Sequence, residues 1–322
     1  ESVIHWYAQQ YDVDIKPRWL HFIPGVIKTI VLSLMVFTRP SDNILTCTPI
    51  YDPYPNLVNT SGRNLIQTRL IEKDGHYEFD WHDFSEKLKQ CKMFLFPSPH
   101  NPGGMVWSRE TLEKVSHYCQ QAGVIILSDE VHSDLTLPGK RHLPFFTLDE
   151  ATGSQSIVLT SISKTFNTAA IQGGIAIIKN DELRHQFYGF LDNCYLAETH
   201  SLQQAAIYSA FTHCGDWHQK LLAYLADNVA FVKSEIEKHC PLISIVYGGA
   251  SYLMFLNAEK MNLSDEQLSA FFVKEAKLGL SPGAQYGPGG EGHMRLNVGC
   301  PRSVLVEAMN RLKAAYQKRQ NA

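Results

Sequence analysis

Three segments of the sequence place chemistry-bearing side chains directly behind short apolar runs. The run 92–96 leads into Pro97-Ser98-Pro99-His100-Asn101-Pro102-Gly103-Gly104, and the run 124–127 leads into Ser128-Asp129-Glu130-Val131-His132. The run 156–160 leads into Ser161-Ile162-Ser163-Lys164-Thr165-Phe166-Asn167. Taken singly, each has an ordinary explanation: a turn at Asn-Pro-Gly-Gly, an Asp that caps a helix, a solvated Lys. Taken together, they offer an amine, a carboxylate, a carboxamide and an imidazole at the ends of successive strands. Ligands of open parallel sheets bind beyond the carboxyl ends of the strands. The three in this order and spacing are therefore hard to dismiss as separate structural features.

The elements that must position them read as a doubly wound sheet. Strand-like runs occur at 43–48, 64–71, 92–96, 124–127, 156–160 and 173–178, with amphipathic helices between them such as 79–91 and 109–122. Short, nearly continuous apolar strands imply parallel pairing with both faces covered. A helix is predicted at 2–11, and 26–37, apolar except for Lys28, Thr29 and Ser33, reads as a buried helix. The first half is thus expected to be an α/β domain, a mostly parallel sheet with helices on both faces. After about His200 the pattern changes to long helices at 201–211 and 217–239, the latter carrying Leu221, Leu222, Leu225, Val229 and Val232 near helical spacing. Two strands bracket Gly248-Gly249, a strand follows at 295–298, and a helix at 303–319 closes the chain. The expected organisation is a large domain over 1–211 and a small C-terminal α+β domain over 212–322.

Composition removes several function classes. The 322 residues carry 29 Lys+Arg against 32 Asp+Glu, a net charge of −3, which leaves no basic footprint for nucleic acid. The longest uncharged run, 240–258, contains Pro241 and Gly248-Gly249, so it reads as two strands and a turn and not as a membrane span. Seven scattered Cys residues without a Cys-x-x-Cys pair point to reduced thiols in a cytoplasmic protein. The 14 His residues include no His-Glu-x-x-His, so no metal site is expected. Gly287-Pro-Gly-Gly-Glu-Gly292 precedes a strand, not a helix, and reads as a mobile loop in place of a phosphate loop.

Over essentially its whole length the sequence resembles the fold-type-I pyridoxal-phosphate enzymes, the class I/II aminotransferase superfamily. Pro-His-Asn-Pro-Gly-Gly, Ser-Asp-Glu-Val-His, Ser-Lys-Thr-Phe-Asn and Arg295-Leu-Asn-Val-Gly-Cys-Pro-Arg302 are most similar to the cystathionine β-lyase branch. The resemblance implies pyridoxal 5′-phosphate as cofactor, with Lys164 forming the Schiff base and later moving protons at the substrate Cα. It places Asp129 opposite the pyridine nitrogen, Asn101 at the ring hydroxyl, Tyr51 stacked on the ring and Arg295 on the substrate α-carboxylate. A carboxylate there keeps the ring nitrogen protonated, and the planar fork of Arg suits two carboxylate oxygens. Gly25, Val26 and Ile27 open a helix whose N–H groups and dipole suit a phosphate dianion. Ser161 and Ser163 would add hydroxyls there.

The departures inform as much as the matches. Many superfamily members carry an Arg eight residues after the Schiff-base Lys, where this chain has Gln172, a feature it shares with the lyase branch. His132 stands where many relatives have a Tyr that contacts the ring hydroxyl. The chain opens at Glu1 inside a helical pattern, and the family's N-terminal arm has no counterpart in it. The expected activity is cleavage of cystathionine or related L-cysteine S-conjugates to a thiol, pyruvate and ammonia, within amino-acid metabolism and methionine biosynthesis. An aminotransferase using a keto acid acceptor and a regulatory binding protein on the same scaffold remain the alternatives. The resemblance also implies a homodimer with an active site at its interface, acting on a small amino-acid substrate.

Overall fold

In the computed structural model, which describes residues 1–197 and 200–320, the first eight strands join in one mixed sheet. They are β1 (Leu20–Ile23), β2 (Asn43–Thr48), β3 (Asn64–Lys73), β4 (His76–Phe79), β5 (Cys91–Pro97), β6 (Ile125–Asp129), β7 (Ser156–Thr160) and β8 (Gly174–Ile177). Their order is β1-β8-β7-β6-β5-β2-β3-β4. The central run from β3 through β2, β5 and β6 to β7 is parallel, whereas β1, β4 and β8 pair antiparallel to their neighbours. Strands β6 and β7 are buried throughout except at Ile125, and their central residues Ile126, Leu127, Ile157, Val158 and Leu159 are apolar on both faces, as helix-covered parallel strands require. After β2 the chain goes one way to β3 and then returns to the other side of β2 as β5. That reversal opens a crevice at the carboxyl ends of β2 and β5, where open α/β sheets take ligands.

Four further strands make a second, antiparallel sheet: β9 (Ser244–Val246), β10 (Leu253–Asn257), β11 (Ser281–Pro282) and β12 (His293–Asn297), in the order β11-β12-β10-β9. The long helix Gly215–His239 faces it with Leu222, Leu225, Val229, Val232 and Ile236, a stripe spaced three and four residues apart. Those residues share a core with Leu305, Met309, Leu312 and Tyr316 of the last helix, Arg302–Gln320. Among the described residues no helix is long and apolar enough to cross a membrane.

Several local expectations are corrected. The helix expected over 79–91 spans Trp81–Leu88; Phe79 ends β4, and Asp80 caps the helix by accepting the N–H groups of His82 and Asp83. The hairpin between β3 and β4 turns on Asp74 and Gly75, both at positive φ, and a side chain at Gly75 would strike the Ile245 carbonyl at 2.7 Å. The Val26–Phe37 helix is not buried all round: Thr29, Ile30, Ser33 and Leu34 face inward while Ile27 and Met35 are exposed. A single sheet face receives one side of a helix, whatever the residues on its other side. The run 173–178 joins the sheet antiparallel, and its partner β1 was too short to read as a strand. The loop expected to be mobile at 287–292 is knit by hydrogen bonds such as Gly290 N–H to the Gly287 carbonyl, and it passes so close to Gly283 that a Cβ at Gly290 would sit 2.1 Å from the Gly283 oxygen.

The second core generates a first expectation. Leu225 is buried at 1% exposure within it, so Leu225→Ala leaves a cavity and is expected to lower stability by about 2–5 kcal/mol in urea unfolding. A change below about 0.5 kcal/mol would contradict this packing.

Candidate active site

A cleft of about 310 Å³ lies where the carboxyl ends of β5, β6 and β7 meet the start of the Val26–Phe37 helix. Ten of the residues singled out from the sequence line it: Gly25, Val26, Ile27, Tyr51, Asn101, Asp129, His132, Ser161, Ser163 and Lys164. Arg295, on β12, does not line it but reaches its edge by donating from Nη1 to Asn101 Oδ1 at 3.1 Å. The sequence-distant groups are thus brought together by strand order, because β5, β6 and β7 are adjacent and end on one side.

Asp129 is the last residue of β6 and is 4% exposed. Its Oδ2 accepts the hydroxyl of Tyr54 at 2.5 Å and its Oδ1 accepts the N–H of Val131 at 3.1 Å. Burial pushes the carboxyl above its ordinary pKa, opposed by those two donors and by the charge of Lys164. A buried carboxylate with few donors is best satisfied by a cation held in the same cleft. Tyr54 was not singled out from the sequence; its side chain is fully buried and belongs to the helix Pro53–Thr60, which begins two residues after Tyr51. The two rings meet edge to face, centroids 5.6 Å apart.

The loops after β2, β5 and β6 are tied to one another. Ser98 donates its N–H to the Asp129 carbonyl, and His100 Nε2 lies 2.8 Å from the Pro49 carbonyl while its Nδ1 accepts the N–H of Gly103. His100 is therefore neutral with the proton on Nε2, and burial lowers its pKa to about 4. Glu130, the motif's second acid, faces away from the cleft. It is fully buried and accepts from Ser128 Oγ and Phe145 N–H and pairs with His142 Nε2 at 2.9 Å, which fixes the segment after β6.

His132 is 5% exposed with Nδ1 buried and unpartnered, and burial together with Lys164 and Arg295 lowers its pKa to about 3. A neutral imidazole with a vacant nitrogen is thus built into the cleft wall. Ser161 lines the cleft with its proton already donated to the Gly173 carbonyl at 2.8 Å, so its hydroxyl offers only acceptor character as placed. Lys164 makes no hydrogen bond or ion pair with a described residue. Gly25, at φ 123°, precedes helix N–H groups that no side chain caps. Lys28 and Gln172, neither assigned a cleft role from the sequence, also line it.

This donor set fits pyridoxal phosphate. A free amine, a buried carboxylate lacking a cation of its own, an uncapped helix start and an orphaned His132 nitrogen match an aldehyde, a ring nitrogen, a phosphate and a ring oxygen. Asn101 keeps its amide nitrogen for the ligand, since its oxygen is engaged by Arg295. Arg295 stacks its guanidinium on Tyr286 at 4.8 Å and has no carboxylate within ion-pair distance among the described residues.

The sequence profile described as aminotransferase class I and II matches residues 1–312. The chain is 35% identical over 317 residues to cystathionine β-lyase PatB of Bacillus subtilis (strain 168), covering 98% of this chain and 82% of that protein. Among solved structures it is similar to cystalysin of Treponema denticola, which contains a pyridoxal 5′-phosphate cofactor, with a TM-score of 0.95 and 29% identity over 99% of this chain and 81% of that one. It is also similar to a PLP-bound putative aminotransferase of Clostridium difficile 630, with a TM-score of 0.94 and 30% identity over 98% and 82% of the two chains.

The two buried imidazoles set a pH dependence of stability. In the unfolded chain both titrate near 6.5, whereas in the folded protein they stay neutral down to about 4 for His100 and about 3 for His132. Their contribution is full above 6.5 and is lost as the pH falls through the window between the two states, because the unfolded chain takes up protons that the folded one refuses. Replacing both by Gln is expected to flatten the fall in urea midpoint between about pH 7 and about pH 5. An unchanged slope would contradict their neutral burial.

Proposed function

We propose a carbon–sulfur β-lyase activity for this chain, which belongs to the class I and II aminotransferase family. Its cofactor is pyridoxal 5′-phosphate and its substrates are cystathionine or related L-cysteine S-conjugates. The observation that carries the reading is the unpaired amine of Lys164 in one cleft with the buried carboxylate of Asp129, with Arg295 beside it. Relatives named cystathionine β-lyase, the 35% identical one among them, point to the lyase in preference to the transaminase, as does Gln172 at the place of the usual Arg.

When bound, the cofactor supplies an aldehyde that condenses with amines and a ring that withdraws electrons from the substrate Cα. Lys164 Nζ would hold it until the substrate amine takes its place, and would then be free to accept the Cα proton. The same Nζ would return a proton to the departing sulfur, so that the thiol leaves neutral. Asp129 would keep the ring nitrogen protonated, and Tyr54 and Val131 hold its carboxylate in the orientation for this. Asn101 orients Arg295, which would take the substrate α-carboxylate through two N–H groups. Water then completes the conversion of the remaining three-carbon fragment to pyruvate and ammonia.

Several finer readings belong to the same proposal. The division at 211/212 is supported by Phe211 lying in the first core and Leu222 in the second. A homodimer is supported by exposed apolar side chains at Ile27 and Ile171, both in the wall of the cleft, which a second copy would cover. Seven unpaired cysteines fit a cytoplasmic enzyme, and cystathionine cleavage fits methionine biosynthesis.

Pyruvate is expected to form from cystathionine with no keto acid present, and Lys164→Ala is expected to reduce that rate by at least about 10³-fold with circular dichroism unchanged. Amino-group transfer that requires a keto acid, without pyruvate release in its absence, would replace the lyase by the transaminase reading.

A further inference from the structure

Lys28 stands in the first turn of the Val26–Phe37 helix, where the backbone dipole presents its positive end. A cation is unfavourable there, and the turn holds no acidic residue to offset it. Among the described residues Lys28 has no carboxylate partner; its Nζ donates instead to the neutral Gln172 Oε1 at 2.5 Å. Both side chains line the cleft beside Gly25, Val26 and Ile27.

The charges of the lining do not balance. Among the described residues that line it, Lys28 and Lys164 are the cations and Asp129 is the acid, and Asp129 is already engaged by Tyr54 and Val131. His132, buried and neutral, adds no charge of its own. An excess of positive charge next to uncapped helix N–H groups calls for an anion at that end of the cleft.

We propose that Lys28 is a positioning residue for the cofactor phosphate, supplying the cation that Gln172 does not, and that Gln172 holds the amine until the phosphate takes it over. The inference rests on the pyridoxal-phosphate reading above. Gln172 then acts as a neutral dock that keeps the long Lys28 side chain folded toward the cleft, which lowers the entropy lost when the anion arrives. A Lys–phosphate contact near solvent is weakened by salt, so cofactor affinity depends on ionic strength through this residue.

The test is equilibrium dialysis of the full chain against graded pyridoxal phosphate or pyridoxal, at low and high salt, with occupancy read from visible absorbance. Lys28→Ala is expected to raise the Kd for pyridoxal phosphate about five- to tenfold and to flatten its salt dependence. Its Kd for pyridoxal, which has no phosphate, is expected to stay within about twofold of the parent. Lys28→Arg is expected to recover most of the loss. Unchanged pyridoxal phosphate binding in Lys28→Ala, or an equal loss of pyridoxal, overturns the proposal while leaving the cofactor reading intact. A parent chain that binds neither compound overturns both.

Discussion

The buried carboxylate of Asp129 is the interaction on which the arrangement of the cleft depends. Removing an ion from water costs several kcal/mol even after relaxation, unless donors and a counter-charge replace the lost hydration. The protein supplies two donors, the Tyr54 hydroxyl and the Val131 N–H, and leaves the counter-charge to groups sharing the cleft. Each donor constrains a larger piece of structure. Tyr54 requires the Pro53–Thr60 helix to dock against the end of β6, and the Val131 N–H requires the chain to turn immediately after the strand. The need for a counter-cation would favour a ligand with a protonated ring nitrogen over a neutral one.

Rigidity around this carboxylate comes from bonds that cross between loops. Ser98 ties the β5 loop to the Asp129 carbonyl, neutral His100 ties the same loop to Pro49 after β2, and Glu130 anchors the segment running to Phe145. Arg295 reaches the cleft from the second sheet through Asn101, so the groups proposed to face the substrate and the cofactor belong to different cores. The carboxylate of a substrate would bridge the two units at the point where Arg295 and Asn101 already meet.

The residues at strand ends were legible in the sequence because the periodicity of a parallel sheet dictates where its ligand must lie. Asp129 ends a short strand and Asn101 and Lys164 follow two neighbouring ones, so the strand order brings the three to one cleft. Tyr54 was illegible for the opposite reason: its partner lies 75 residues away, and a Tyr between two prolines at a helix start carries no local mark of that bond. His100 and Glu130 were visible as members of motifs, but their work is to fasten loops, which only their partners disclose. The Val26–Phe37 helix shows the limit of composition, since apolar residues on every side do not fix how many sides the chain covers. Strand β1, four residues long, is defined by its pairing with β8 and not by its own pattern.

In the proposed reaction Asp129 would stabilise negative charge developing at the substrate Cα by keeping the cofactor ring nitrogen protonated. The most direct measurement is the exchange of the Cα proton of L-alanine, which has no β leaving group, in deuterated water, followed by proton NMR. Asp129→Asn keeps the shape of the side chain and one acceptor oxygen while removing the charge. This variant is expected still to bind pyridoxal phosphate but to exchange the Cα proton at least about 10²-fold more slowly than the parent. Exchange at the parent rate in a variant that retains the cofactor would contradict it.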